Sequence, residues 1–288
     1  MKNVSFLTNV THLTKLVLFV CASLLFLTGC DEIKKGAASL TSADASADET
    51  KTSGAENVLV VALDQSASVA YTDADKAANE KWLKKFLYHE LEPSTDIVVM
   101  YIGDYSQSAS VVNHRKIEWK VPDVSESSTF KTDAERKLEE SDREEREEVQ
   151  MKEQQKKLLT LLSESSSGTK SNSSAVLEVL PQIAEQIKTY KHCKILFLSD
   201  LCQFSSLRDF EKSPPVNWEQ ANEMANTDHL KLVKEYPVMK GAFTKVQRIE
   251  VLIPKNTPKD RTVMIPKYWN ALFQRHLGYQ YEVLWSMP

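Results

Sequence analysis

Apolar residues run almost without interruption through three stretches of the chain, and each run meets polar residues at its end. The stretches are NVLVVAL at 57–63, DIVVMYIG at 96–103 and KILFLSD at 194–200. Continuous runs rich in β-branched residues are typical of strands that a parallel sheet buries on both faces. We therefore expect all three stretches to be central strands.

Apolar positions three and four residues apart predict helices between the strands. In the clearest case, DADKAANEKWLKKFLYHEL at 73–91, these positions include Trp82, Leu83 and Phe86. This helix is expected to stop before Pro93, because proline lacks the amide hydrogen that a helix interior needs. Further helices are predicted over 173–190, 217–236 and 266–278.

The remaining strands complete an α/β pattern. Residues 110–121 alternate and carry charge, which suits an edge strand reached by a hairpin. Strands are also predicted over 246–254 and 279–285. Since helices alternate with strands, the sequence predicts a doubly wound, mostly parallel six-stranded sheet of the Rossmann type, with helices on both faces and one antiparallel edge strand.

Residues 123–167 interrupt this pattern with a run that is dominated by charge. The run predicts a long exposed helix or a partly disordered insertion, and no sustained heptad of apolar residues supports a coiled coil. A short apolar patch of leucines lies near its end, at 158, 159, 161 and 162. We interpret the insertion as a solvated surface, with a partner-binding arm as the alternative.

The N-terminal segment has the layout of a secretion signal. Lysines precede LVLFVCASLLFL at 16–27, an apolar run that is short for a membrane span of about 20 residues. LTGC at 27–30 follows, and it resembles the lipobox of bacterial lipoproteins, in which the cysteine is acylated and becomes the mature N-terminus. This resemblance implies a signal peptide over 1–29 and a lipid anchor, palmitate or a similar acyl chain, on Cys30.

The residues after the anchor predict where the protein lies. Asp31 directly follows Cys30, and in enteric-type bacteria an aspartate there resembles a signal for retention in the inner membrane. Residues 30–56 are rich in Ala, Ser, Asp, Thr and Lys without apolar periodicity, which predicts a flexible tether. We expect a domain over 57–288 that is lipid-anchored in the cell envelope, at the periplasmic face of the inner membrane if the host is Gram-negative.

Composition and charge argue against several classes of function. The chain has 288 residues, 42% of them hydrophobic, and a net charge of −4. An acidic chain without a basic patch gives no reason to expect a nucleic-acid partner. The 7 glycines form no GxxxxGK or GxGxxG loop that would bind the phosphates of a nucleotide.

Two cysteines of the predicted domain, Cys193 and Cys202, flank the strand KILFLSD. Residues of a strand rise by ~3.3 Å each, whereas the Cα atoms of a disulfide lie within about 7 Å of one another. We therefore predict that these cysteines do not pair with each other. A zinc site has no support either, because the sequence contains no CxxC pattern and no histidine pair at ligand spacing.

An acid and two hydroxyl residues alternate where the first strand ends, in DQSAS at 64–68. Alternate residues of an extended chain point the same way, so Asp64, Ser66 and Ser68 can present their oxygens together. Asp200 ends the third apolar run, and ligands of α/β sheets bind beside the carboxyl ends of the strands. Hard oxygen donors of this kind suit Mg²⁺, with Mn²⁺ and Ca²⁺ as alternatives.

DQSAS after a buried first strand resembles the DxSxS motif of the von Willebrand factor A (VWA) fold, which opens a metal-ion-dependent adhesion site. The resemblance covers residues 57–285 and implies a further aspartate after the next central strand, where Asp200 matches. Two positions depart from the family's pattern, because Ala67 and Leu201 stand where glycine is usual. These departures bear on metal affinity more than on the fold.

The VWA resemblance also implies a threonine ligand from a second loop. GTKSNSSAVL at 168–177 fits that loop in two registers. Thr169 matches by identity and by the glycine before it, whereas Ser171 matches better by its distance from the following helix. Both residues remain candidates, and the chemistry favours Thr169.

The resemblance implies a binding protein rather than an enzyme. Asp64 and Asp200 would anchor the ion, directly or through water, the hydroxyl residues would be ligands, and a carboxylate of a partner protein would complete the coordination. The first alternative is a metal-free VWA-fold scaffold, in which the same side chains only bond loop amides. A second arises because ALDQ at 62–65 resembles isochorismatase-like cysteine hydrolases, with Cys202 as nucleophile, but no lysine or nucleophile turn supports it.

Overall fold

The structure, a computed structural model, describes residues 54–66, 73–103, 114–120, 132–165, 171–254, 257 and 259–288. The predicted signal peptide, the lipidated Cys30 and the site candidates Ser68 and Thr169 lie outside the described residues. The described residues all belong to one compact unit, Thr52–Pro288.

Strands and helices alternate along this unit, as the sequence predicts. The strands are β1 (Asn57–Asp64), β2 (Thr95–Ile102), β3 (His114–Ile117), β4 (His192–Leu198), β5 (Val246–Leu252) and β6 (Leu284–Ser286). The helices are α1 (Asp73–Glu90), α2 (Asp133–Ser165), α3 (Val176–Ile187), α4 (Trp218–Glu235) and α5 (Lys259–Asn270), and a π-helix, Ala271–His276, continues α5.

The six strands form one sheet in the order β3-β2-β1-β4-β5-β6. Every neighbouring pair is parallel except β2 and β3, which pair antiparallel at one edge. The chain therefore winds from β1 toward one edge and from β4 toward the other. This confirms the predicted doubly wound α/β fold and places the topological switch point between β1 and β4.

Side chains of β1 enter two hydrophobic cores, one on each face of the sheet. Val58 and Val60 pack in the core that α3, α4 and α5 cover, whereas Leu59 and Val61 pack in the core covered by α1 and part of α2. Both sets are almost completely buried. Burial on both faces explains why the sequence of β1 is continuously apolar and does not alternate between apolar and polar residues.

The interpretation of the charged insertion as a solvated surface is wrong for the second half of helix α2. Its first half is exposed, but in its second half Gln154 and Leu158 are completely buried. The Gln154 amide donates hydrogen bonds to the carbonyls of Thr95 at 3.0 Å and Ile117 at 3.5 Å, and so ties the helix to β2 and β3. The sequence does not predict this contact, because only one narrow stripe of the helix faces the sheet and charged residues surround that stripe.

The C-terminal elements differ from their predicted bounds. Helix α5 begins at Lys259, before the predicted start at 266, and it contains Pro266. The last strand is short because Tyr279 turns inward: its amide bonds the Phe273 carbonyl at 2.9 Å, and its hydroxyl accepts from the Ile249 amide at 2.9 Å. The residues after the π-helix therefore cap its end, and pairing with β5 begins only at Leu284.

The two cysteines of the unit are free and buried, in agreement with the prediction that Cys193 and Cys202 do not pair. Among the residues described, none of the helices combines the length and the hydrophobicity that crossing a membrane requires.

Candidate functional site

The candidate site lies where β1 and β4 end, at the switch point of the sheet. Leu63 of β1 pairs with Leu198 of β4, so the next positions along the two parallel strands are Asp64 and Ser199. Both residues directly follow hydrophobic core positions, and both are buried although they are polar. Because open α/β sheets bind ligands at this edge, the pair occupies the expected place for a site.

Asp64 is the centre of the hydrogen bonding at this edge. Its side chain is only 4% exposed. One carboxylate oxygen, Oδ1, accepts from the Ser66 amide at 2.8 Å, and the other, Oδ2, accepts from the hydroxyls of Ser199 at 2.6 Å and Ser174 at 3.0 Å. Burial raises the pKa of the Asp64 carboxyl, and these hydrogen bonds work in the opposite direction because they favour the charged form.

The second loop meets the first through the backbone. Ser171 and Ser66 form an isolated parallel bridge, and the Ser171 amide donates to the Gln65 carbonyl at 2.9 Å. The Ser171 hydroxyl donates to the Ser173 carbonyl at 2.7 Å and accepts from the Ser173 amide at 3.2 Å. The bridge holds the two predicted serines side by side at the edge of the sheet.

Gly103, directly after β2, allows this approach. A Cβ atom at position 103 would lie 3.0 Å from the Cβ of Ser171 and 3.1 Å from its hydroxyl. Carbon atoms pack best at about 3.5–4.0 Å, so a larger residue would push the second loop away from β2. A side chain at position 103 would therefore require Ser171 to move by a few tenths of an ångström.

The loop after β4 forms a tight turn around Asp200. Asp200 Oδ1 accepts from the Cys202 amide at 2.9 Å, and the Ser199 hydroxyl accepts from the Leu201 amide at 2.8 Å. Leu201 is completely buried and has φ +52°, a left-handed conformation that favours glycine and costs a residue with a Cβ about 1–2 kcal/mol. Its carbonyl accepts from the Trp269 indole at 2.8 Å, which holds the strained turn in place.

Gln203 fixes this loop to the beginning of helix α3. Its side-chain oxygen accepts from the Leu177 amide at 2.8 Å and so caps a helix whose N-cap residue, Ala175, cannot do so itself. The Gln203 amide group donates to the buried carboxylate of Glu178 at 2.8 Å. Ser174 and Phe204 bond each other's backbone groups at 2.9 and 3.1 Å. These contacts hold the loops of the site rigidly against one another.

Several of the predicted ligands are therefore neighbours in the structure. Ser66 and Ser171 are bridged, and the hydrogen bonds to Asp64 join that bridge to Ser199, the residue that precedes Asp200. Ser68 and Thr169 lie outside the described residues, so the choice between Thr169 and Ser171 stays a prediction.

Three residues that pack or bond in this site, Ser174, Ser199 and Gly103, are not among the residues that the sequence predicts. Ser199 could have been predicted, because aligning the ends of β1 and β4 places it opposite Asp64. Ser174 lies 110 positions from Asp64, and Gly103 contacts a loop far along the chain, so no local pattern reveals either one.

The donor set at this edge consists of oxygens. Among the described residues, no group of three or more histidine, cysteine or acidic side chains could hold a metal ion. Carboxylate and hydroxyl oxygens suit a hard divalent cation, which needs only one or two carboxylates when water and hydroxyl oxygens complete its shell. No protein-family model matches the chain, and no match was found among curated proteins.

Proposed function

We propose that this chain is a membrane-anchored lipoprotein that binds a partner protein through a divalent-metal site in a VWA-like domain. The observation that carries the proposal is the buried Asp64 carboxylate at the switch point of the sheet. It bonds groups from its own loop, from the residues before α3 and from the loop after β4. A carboxylate buried among convergent hydroxyls at the ligand-binding edge of an α/β sheet suits the capture of a cation.

The residues of the proposed metal site have separate roles. Asp64 and Asp200 would anchor Mg²⁺ directly or through water, and Ser66, Ser68 and either Thr169 or Ser171 would contribute hydroxyl oxygens. The bound ion would supply an open coordination position for a carboxylate of the partner protein. Recognition would then depend on an acidic side chain of the partner meeting this edge of the sheet.

The backbone of Leu201 supports the resemblance to the VWA fold. The family usually has glycine directly after the last aspartate of the motif, and Leu201 stands at that position. Its φ of +52° is one that favours glycine. The turn thus keeps the backbone conformation that glycine would adopt, even though the side chain differs.

The membrane anchor rests on the lipobox-like sequence LTGC that ends at Cys30. Cells that express the chain should incorporate labelled palmitate into it, and Cys30→Ser should abolish the label. Two acyl chains or more are needed for stable anchoring, at about 0.8 kcal/mol for each buried CH₂ group. Unchanged labelling of the Cys30→Ser chain would contradict the anchor without affecting the proposed metal site.

A metal-free scaffold is the second candidate function. It is favoured by one observation: both oxygens of the Asp64 carboxylate already accept hydrogen bonds from the protein. In this alternative, Asp64 and Asp200 only hold their loops, each by accepting from the amide two residues further on. The two candidates share the fold and differ in whether a divalent ion stabilises it.

Thermal unfolding with and without magnesium separates these candidates. At a concentration 100 times the dissociation constant, a ligand stabilises the folded state by about 2.7 kcal/mol. For a domain of this size that corresponds to a rise in Tm of roughly 5–11 °C, since each kcal/mol shifts Tm by about 2–4 °C. The intact protein should show the rise, and Asp64→Asn should abolish it.

Asp96 provides the matched control, because it is a buried aspartate at the other end of the same sheet. Its carboxylate accepts from the Trp119 amide and from the Tyr190 hydroxyl, both at 2.7 Å. Asp96→Asn should lower Tm and leave the magnesium-dependent rise unchanged. If magnesium does not raise the Tm of the unaltered protein, the metal-free scaffold is the better description.

A further inference from the structure

The first half of helix α2, residues 133–150, is a helical arm that is exposed along nearly its whole length. Its nine acidic and four basic side chains give the arm a net charge of −5. Leu138 and Val149 are 64% and 59% exposed. They are three helical turns apart, so they lie on the same face of the arm, with Glu145 between them. An acidic helix with two exposed apolar anchors on one face is suited to docking.

An apolar groove runs between α1 and the second half of α2, on the sheet face that these two helices cover. Its volume is about 810 Å³. Leucines of α1, α2 and the carboxyl ends of β1 and β4 form its floor, namely Leu63, Leu83, Leu159, Leu162 and Leu198. The groove therefore opens beside the edge of the sheet where the candidate site lies.

The rim of the groove is basic, in contrast to the acidic chain as a whole. The charged side chains that line it are Lys76, Lys84, Lys152, Lys156, Glu80 and Glu164. Four lysines and two glutamates give the lining a net charge of +2, whereas the whole chain carries −4. Glu80 pairs with Lys84 at 2.7 Å, and Lys152 pairs with Glu148 of its own helix at 2.5 Å. No acidic partner of Lys156 is found among the residues described. The groove thus favours an acidic occupant with apolar anchors.

We infer that the arm of one chain docks in the groove of a second copy, and that the second copy returns the contact. The arm is the first half of α2, and the second half of α2 forms one wall of the groove. Two antiparallel copies of α2, related by a two-fold axis near Gln150, would therefore place each arm against the other copy's groove. Such an isologous contact closes on itself and produces a dimer.

Charge complementarity argues for this occupant. The −5 arm meets the +2 groove twice in the dimer, which favours association and sets the antiparallel direction. The arm is about 27 Å long, and its anchors are about 16 Å apart, from the 1.5 Å rise per helical residue. About this axis Leu138 would lie opposite Leu162 of the other copy's groove, and Val149 would lie next to Val149 of the other copy. This inference does not depend on the metal site.

Cross-linking between two differently tagged copies of the full chain tests the contact. One copy carries Glu145→Cys in the arm and the other carries Lys156→Cys on the rim, two positions that the proposed axis brings face to face. A bismaleimide applied to membranes should give a product with both tags at twice the chain's mass. Copies without an added cysteine provide the background, since Cys193 and Cys202 are buried.

Reversed charges give a second, independent test by co-purification of the tagged copies. A groove variant, Lys84→Glu with Lys156→Glu, changes the charge of the lining from +2 to −2 and should lose self-association several-fold. An arm variant that combines Glu140→Lys, Glu144→Lys and Glu145→Lys changes the charge of the arm from −5 to +1 and should lose self-association as well. Mixing the two variants should restore association, because that pairing makes both contacts complementary again. Restoration also shows that the variants are folded.

Lys231 and Lys234 supply the control, because they are exposed on α4, which covers the other face of the sheet. Lys231→Glu with Lys234→Glu should leave self-association unchanged. Two results would overturn the inference: association that ignores the reversed charges, or a cross-linked product that carries one tag and the mass of a different protein. The second result would assign the groove to an acidic helix of another partner.

Discussion

Gly103 gives the sharpest mutational test of how the loops of the site pack. In Gly103→Ala the new methyl carbon would lie 3.0 Å from the Cβ of Ser171. This is about 0.5–1 Å closer than carbon atoms pack, and forced overpacking typically costs about 1–3 kcal/mol. Ser171 cannot yield freely, because its backbone is bonded to Gln65 in the first loop.

Denaturant unfolding, followed by circular dichroism, measures this cost directly. The expected loss of about 1–3 kcal/mol in the free energy of unfolding corresponds to roughly 2–12 °C in Tm. Gly54→Ala is the matched control, since nothing lies within 4 Å of a Cβ at that position. Its free energy of unfolding should stay within about 0.5 kcal/mol of the unaltered protein.

A double-mutant cycle then tests the cause. Ser171→Gly removes the Cβ and the hydroxyl that the new methyl group meets, so combining it with Gly103→Ala should cost less than the sum of the single changes. A coupling of at least about 0.5 kcal/mol is expected for residues in contact. If Gly103→Ala is neutral, or if the two costs simply add, the close packing of β2 against the second loop is refuted.

Three further changes test other parts of the structure. Leu158→Ala should cost about 2–5 kcal/mol in the free energy of unfolding, because this leucine is completely buried. Arg208→Met should cost about 3–5 kcal/mol, since it leaves buried Asp228 without the guanidinium 2.7 Å away, and adding Asp228→Asn should recover part of that loss. Burial lowers the pKa values of the stacked His229 and His276, so at these two positions the folded protein binds fewer protons than the unfolded chain. The Tm should therefore fall as the pH drops below 6.5. The double change His229→Gln with His276→Gln should make this fall smaller.

Exposed residues of the same types are the controls for two of these changes. Leu230 is 60% exposed on α4, and Leu230→Ala should change stability by no more than about 0.5 kcal/mol. Arg143 pairs with Glu147 on the exposed arm at 2.8 Å, and breaking this pair should cost below about 1 kcal/mol. A cost at either control as large as at its buried counterpart would contradict the assignment of burial.

The fold was largely predictable because its central strands are buried on both faces. Continuous apolar runs then mark β1, β2 and β4, and the alternation with helices indicates a parallel, doubly wound sheet. The docking of α2 was not predictable from charge, since a single stripe containing Gln154 and Leu158 decides it. The predicted start of the last strand at 279 is wrong for a similar reason, because Tyr279 bonds the backbone of Phe273 and of Ile249, and no local pattern reveals these contacts.

The candidate site was predictable where its residues are local to a strand end. Asp64 and Ser66 are joined by a turn that their spacing anticipates. Ser174 and Ser199 reach the same carboxylate from positions 110 and 135 residues away, and only the three-dimensional fold brings them there. The left-handed backbone conformation of Leu201 could not be predicted either, because this conformation is typical of glycine and not of leucine.

A calorimetric titration with Mn²⁺, used as a probe for Mg²⁺, tests the central claim most directly. Purified full-length protein should bind one ion per chain, excess Mg²⁺ should displace it, and both Asp64→Asn and Asp200→Asn should abolish binding. Asp96→Asn should bind the ion as the unaltered protein does. The absence of saturable binding in the unaltered protein, or full binding after Asp64→Asn, would contradict a metal site at the switch point.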